Sequence, residues 1–164
     1  MTTTLRHTTM AAVLMLLGTA ALAAPGLLGK VTKVIDGQTF LLAAADGKAV
    51  QVELTGIVTP LVCQPWGPEA RDALKDWVLN HEVHAEPVGR PAGPRMLAKV
   101  TLDGADLSRR MVEEGQAWSV RVKWDRGPYV AQERMAQALS RGLHSMAGVQ
   151  PPPQYKRSQV PCAT

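Results

Sequence analysis

This chain of 164 residues has two cysteines, Cys63 and Cys162, and neither has Cys or His companions at finger spacing, so a structural zinc site is not expected. It has no glycine-rich phosphate loop, no recognisable Ser-His-Asp arrangement and no internal repeat. In Asn80-His81-Glu82-Val83-His84 the histidines stand three apart. A helical metalloprotease motif needs them four apart on one face, so two surface histidines are expected instead. Past residue 23 no stretch is apolar enough to cross a bilayer as a helix, which takes roughly 20 residues.

The apolar run that does exist lies at the start. Arg6 and His7 precede Met10 to Ala23, which closes on Ala21-Leu22-Ala23 before Ala24-Pro25. That is the pattern of a secretory signal peptide with a small-residue cleavage site. The rival reading, a retained anchor, asks for a longer run. The sequence therefore predicts a signal over 1–23, one domain over 24–148, and a proline-rich, extended tail over 149–164. The mature protein is expected in the periplasm or secreted, with no stable membrane insertion after the signal is removed. It would keep 141 residues, enough for one core of its own. Export carries both cysteines to where thiols oxidise, so a bridge between Cys63 and Cys162 is expected, two free or intermolecular thiols being the alternative.

Charge is unevenly placed. Loss of Arg6 lowers the formal charge from +4 to +3, and residues 24–89 carry five Lys/Arg against eight Asp/Glu. Residues 90–164 carry twelve against six, so the second half is basic.

Alternation and turn signals predict strands over 30–34, 39–43, 50–57, 82–88 and 96–102, the first three joined at Asp36-Gly37 and Asp46-Gly47. Between the third and fourth, Pro68 opens a helix whose Ala70, Ala73, Leu74, Trp77 and Val78 recur at helical spacing, with Trp77 directed to the core. Asp106 is placed to cap a second helix carrying Leu107, Met111 and Val112, and Gly115 to stop it. A third helix is expected over 130–141, burying Ala131, Met135, Ala138 and Leu139 and ending at Gly142. Periodicity alone thus gives an α+β chain.

Two segments say more. Val34-Ile35-Asp36-Gly37-Gln38-Thr39 and Val52-Glu53-Leu54-Thr55-Gly56-Ile57-Val58-Thr59-Pro60-Leu61 resemble the I-D-G-D-T turn and the R-L-x-G-I-D-x-P-E segment of the staphylococcal (thermonuclease) nuclease family. Gly93-Pro94-Arg95-Met96-Leu97-Ala98 is similar to that family's Y-G-R-x-L-A segment, and Gly142-Leu143-His144 and Pro152 to Arg157 to the tail of its bacterial members. The resemblance covers about residues 28–157 and implies a five-stranded OB-fold barrel with about three packed helices.

It also implies what has been lost. In the family, carboxylates at these positions bind calcium and activate water, while two arginines stabilise charge on phosphorus. Here a turn aspartate becomes Gln38, an arginine becomes Glu53, a second aspartate becomes Val58 and the general base becomes Leu61. Calcium takes 6 to 8 oxygen ligands and favours carboxylates. The expectation is a vestigial pocket of Asp36, Gln38, Glu53, Val58, Thr59, Leu61 and Arg95, with no catalytic residue, metal or cofactor. Asp36 is expected to serve its turn, and Glu53 to make a surface ion pair or hydrogen bond.

Arg121, Lys123 and Arg126, interleaved with Trp118, Trp124 and Tyr129, form a basic and aromatic segment able to meet phosphates. With Arg95 they are the candidate binding residues for nucleic acid or another polyanion, the alternative being a solvated basic loop with Trp118 and Trp124 partly buried. The reading is an exported, nuclease-like protein without catalysis, serving as a binder of an anionic partner or in a structural role; no protein partner is indicated. Two others stay open: a phosphodiesterase with a metal site remodelled around Glu53, and a cell-envelope interaction module.

Overall fold

The computed structural model describes residues 26–45, 47–89 and 95–151. The expected signal and most of the proline-rich tail, including Cys162, lie outside the described residues.

Five strands close into a barrel. They are β1 (Leu27–Val34), β2 (Thr39–Ala44), β3 (Ala49–Leu54), β5 (Glu82–Pro87) and β6 (Arg95–Leu102). β1 pairs antiparallel with β2 and β5, β2 with β3, and β5 with β6; a parallel β3–β6 pairing joins the ends. Short strands β4 (Ile57–Val58) and β8 (Trp118–Ser119) pair with each other outside it, and β7 (Ala105–Asp106) extends β6. This is the closed barrel with three helices expected of an OB-fold.

Alternation directs Val31, Phe40, Leu42, Val52, Leu54, Val83, Ala85, Ala98 and Val100 inward, all essentially sealed from water. Helix α1 (Gly67–Val78) adds Ala70, Leu74 and Val78 to the same core, and α2 (Leu107–Glu113) adds Leu107, Met111 and Val112. Trp77 is only partly buried, and the Arg110 guanidinium lies 4.0 Å from its ring centroid. Asp106 caps α2 by accepting from the Arg109 N–H at 3.1 Å, and Gly115 follows with a left-handed φ of 67°.

Two expectations are corrected. The third strand does not run through to Ile57. The chain breaks at Thr55-Gly56, where Gly56 has φ 80° and its α-carbon faces Pro128 and Tyr129 closely enough that a Cβ would come within 2.9 Å of both rings. Ile57 and Val58 thereby leave the barrel sheet to pair with β8, while the Ile57 side chain stays in the core.

The third helix, α3 (Val130–Ala138), is shorter than expected and buries Val130, Glu133 and Ala136. Met135 and Leu139 are exposed. Glu133 faces inward because its carboxylate accepts from the Ser119 N–H at 2.7 Å, Arg121 Nη1 at 2.9 Å and Gln137 Nε2 at 3.3 Å. Leu143, on the turn after the helix, supplies the apolar cover in place of the stripe.

Candidate functional site

The turn between β1 and β2 is closed by the Ile35 N–H donating to the Thr39 carbonyl at 2.8 Å. Asp36 completes it: one carboxylate oxygen accepts from the Gln38 N–H at 2.9 Å, the local bonding that makes Asp a turn former. Gly37 lets the turn pack closely: its α-carbon faces Thr59 and Ala70, where a Cβ would sit about 3.0 Å from each. This contact brings the turn against the segment leaving β4, so residues some twenty positions apart share one site.

At that site Gln38 is the hub. Its amide oxygen accepts from the Thr59 N–H at 3.1 Å and from the Thr59 hydroxyl at 3.3 Å. Its amide nitrogen donates to Glu53 Oε1 at 3.1 Å. The reverse amide orientation would set oxygen against a carboxylate and NH₂ against an N–H, so the network itself fixes the orientation. The other oxygen of Glu53, Oε2, meets Arg95 Nη1 at 3.0 Å. Glu53 sits on β3 between Thr39 of β2 and Leu97 of β6, so sheet register alone places it between the turn and the strand that begins with Arg95.

Beside this network is a cavity of about 360 Å³ lined by Asp36 and Gln38 on one side and by Val58, Thr59, Pro60, Leu61 and Val62 on the other. Leu61 is held in that wall: its N–H donates to Gln64 Oε1 at 2.6 Å, and its carbonyl accepts from the Gln64 N–H at 2.7 Å. Gln64 was not singled out from sequence, since nothing in its neighbours signals a side chain folded back on its own turn. Cys63 lies on the same turn and is exposed.

The family model for staphylococcal nuclease homologues matches residues 51–145, more than half of the chain. The chain belongs to the staphylococcal nuclease family. It is 28% identical over 130 residues to an "uncharacterized endonuclease" of Haemophilus influenzae, covering 79% of this chain and 73% of that one. It is 26% identical over 113 residues to a protein of Oryza sativa subsp. japonica named "probable staphylococcal-like nuclease CAN1", covering 68% of this chain and 34% of the rice protein. It thus spans about a third of that relative's length.

The resemblance of this nuclease-family chain to calcium-dependent members raises the question of whether its donors fit that ion. They do not. Val58 and Leu61 offer hydrocarbon, and the Gln38 oxygen is already bonded to Thr59. Glu53 shares its two oxygens between an amide N–H and a guanidinium. A cation at Glu53 would have to displace both donors. Among the described residues no three of His, Cys, Asp and Glu are grouped to hold a metal.

The expected binding residues are not all brought together. Arg95 is joined to Glu53, and Arg121 to the buried Glu133. Lys123 and Arg126 lie on a loop whose ends are bridged by the Val122 N–H donating to the Arg126 carbonyl at 2.7 Å. Other cations of the second half are spread over α2 and beyond α3: Arg109 pairs with Glu113, and Arg141 approaches Glu114. Trp118 is buried in β8, whereas Trp124 is 84% exposed.

Two partly buried polar groups near this loop were not signalled by the sequence. The Tyr129 hydroxyl donates to Asp106 Oδ2 at 3.0 Å, and burial together with that carboxylate pushes the phenol up to about 12. Burial also pushes the His144 imidazole below its ordinary range, against the pull of the Glu133 carboxylate.

Proposed function

We propose that this is an exported protein of the nuclease family that has lost phosphodiester cleavage and holds an anionic partner on the loop from Arg121 to Arg126. The names of its relatives point to nuclease action, but the chemistry here lacks a base, a metal seat and a usable arginine. One observation carries the reading: Glu53 stands between Gln38 and Arg95 with each oxygen engaged, so the arginine that would face a phosphate faces a carboxylate instead. Asp36 adds a further negative charge beside the cavity, which disfavours a phosphodiester there.

Nucleic acid is one polyanion that could supply the partner. Export rests on the leader at residues 1–23, and a bridge from Cys63 to Cys162 is part of the same proposal, supported by the absence of a free thiol at Cys63. Thiol labelling of the denatured, unreduced protein should find no reactive cysteine, and two per chain would remove the bridge.

The central test is hydrolysis of single-stranded DNA and RNA by the protein lacking residues 1–23, with and without calcium. No turnover above a heat-denatured control is expected. Calcium-dependent cleavage abolished by Glu53→Gln would replace this reading with a remodelled phosphodiesterase.

A further inference from the structure

Two irregularities coincide at Trp124. It is the most exposed large apolar side chain among the described residues, at 84%, and Val122 beside it is 58% exposed. Its backbone is left-handed, with φ 65° and ψ 34°, inside a short turn that is entered and left in extended conformation at Val122 and Arg126. A bulky side chain rarely adopts this region, and such strain persists where surrounding structure holds it and use is made of it. The Val122–Arg126 bridge is what holds it, presenting the indole at the tip of a pinned loop.

We propose that this tip docks on an anionic phospholipid surface, with Trp124 as the interfacial anchor and the nearby Lys123 and Arg126 as its cations. The inference rests on the reading above that the loop meets an anionic partner, and names that partner's class. An indole combines an apolar body with an N–H donor and settles at the headgroup level of a bilayer. Lysine and arginine near an anionic leaflet add electrostatic attraction. Both cations are exposed, with Asp125 between Trp124 and Arg126 in the chain.

A nucleic-acid strand asks for something else: a cationic track with successive stacking platforms. The other tryptophans cannot extend such a platform, since Trp118 is buried, Trp77 lies under Arg110 and Trp66 donates to Gln116 Oε1 at 2.8 Å. Arg95 and Arg121 are tied to Glu53 and Glu133. One indole with two cations suits a surface better than a strand. No helix among the described residues is long and apolar enough to span a membrane, so the contact would be peripheral.

The test is co-sedimentation of the protein lacking residues 1–23 with vesicles of phosphatidylcholine, alone or mixed with phosphatidylglycerol. Binding to the mixed vesicles alone, falling with salt, is expected. Lys123→Ala and Arg126→Ala should each lower partitioning about fivefold, the equivalent of roughly 1 kcal/mol per cation. Trp124→Ala should abolish binding while unfolding at the same temperature as the parent. Unchanged binding by Trp124→Ala overturns the proposal. Retention on heparin without vesicle binding removes the lipid assignment and leaves the anionic-partner reading intact. Trp124 quenching by single-stranded DNA without vesicle binding transfers the tip to nucleic acid, and failure on all three surfaces removes both.

Discussion

Replacing Glu53 by glutamine tests whether Arg95 is silenced by its neighbour. The carboxylate of Glu53 is 20% exposed and Arg95 is 57% exposed, with 3.0 Å between them. Glutamine keeps an oxygen for the Gln38 amide but removes the charge that holds Arg95. With one partner largely in water the pair contributes little to folding, so stability should fall by less than about 1 kcal/mol. The binding effect should be the larger one. Each phosphate neutralised on a single strand adds about 0.7 to the slope of log affinity against log salt. One additional contact therefore tightens binding about fivefold at roughly 0.1 M salt. Fluorescence anisotropy with a labelled single-stranded oligonucleotide at several salt concentrations would show both the gain and the steeper slope. Glu53→Gln combined with Arg95→Ala should return both to the parental values. An unchanged slope in the single variant would refute the idea that Glu53 masks the arginine.

The other predictions concern the polar groups that shape the second half. Glu133→Ala should cost about 2–4 kcal/mol in urea unfolding, most of it from leaving the buried Ser119 N–H without an acceptor, while Arg121 can turn to water; a loss below 1 kcal/mol would mean that the helix repacks. Tyr129→Phe should cost about 1–3 kcal/mol by removing the bond to Asp106. The parent holds the Tyr129 proton to about 12, against 10.0 for the ordinary phenol, so its stability should decline between those values as pH rises, and the phenylalanine variant should lack that slope. His144 runs the other way: its lowered pKa favours the neutral ring in the folded state, so stability is full above about 6.5 and falls as pH drops below it. Melting temperatures of the parent and of His144→Gln across this range should diverge only on the acid side.

The strands and turns of the barrel were legible in sequence because their signals are local or periodic, whereas its closure was implied only by the family resemblance. Asp36-Gly37 closes a turn, Phe40 and Leu42 alternate inward, and Asp106 caps its helix with its own side chain. The third helix was not, for a reason its residues make plain. Met135 and Leu139 form a stripe as regular as any in the chain, and periodicity assigns such a stripe to the core. What overrides it is the Ser119 N–H fourteen residues earlier, which requires a buried acceptor and draws Glu133 inward. The same limit applied beside the cavity at Gln38. Family resemblance located Gln38, Glu53 and Arg95, but only register across three strands shows that they satisfy one another. Trp124 was likewise visible as an aromatic beside cations, while its exposure depends on a left-handed turn that no local residue announces.

The parallel seam between β3 and β6 has a kinetic consequence. Every other junction of the barrel is antiparallel, and several join strands close in sequence. The seam instead brings Gln51–Leu54 to Arg95–Ala98, with α1 and β5 lying between them in the chain. Pairing across such a separation pays its loop-closure cost before it gains contacts, which makes it a slow step. Glu53 and Arg95 meet on that seam. Their ion pair is thus a clasp across the one parallel junction of the barrel.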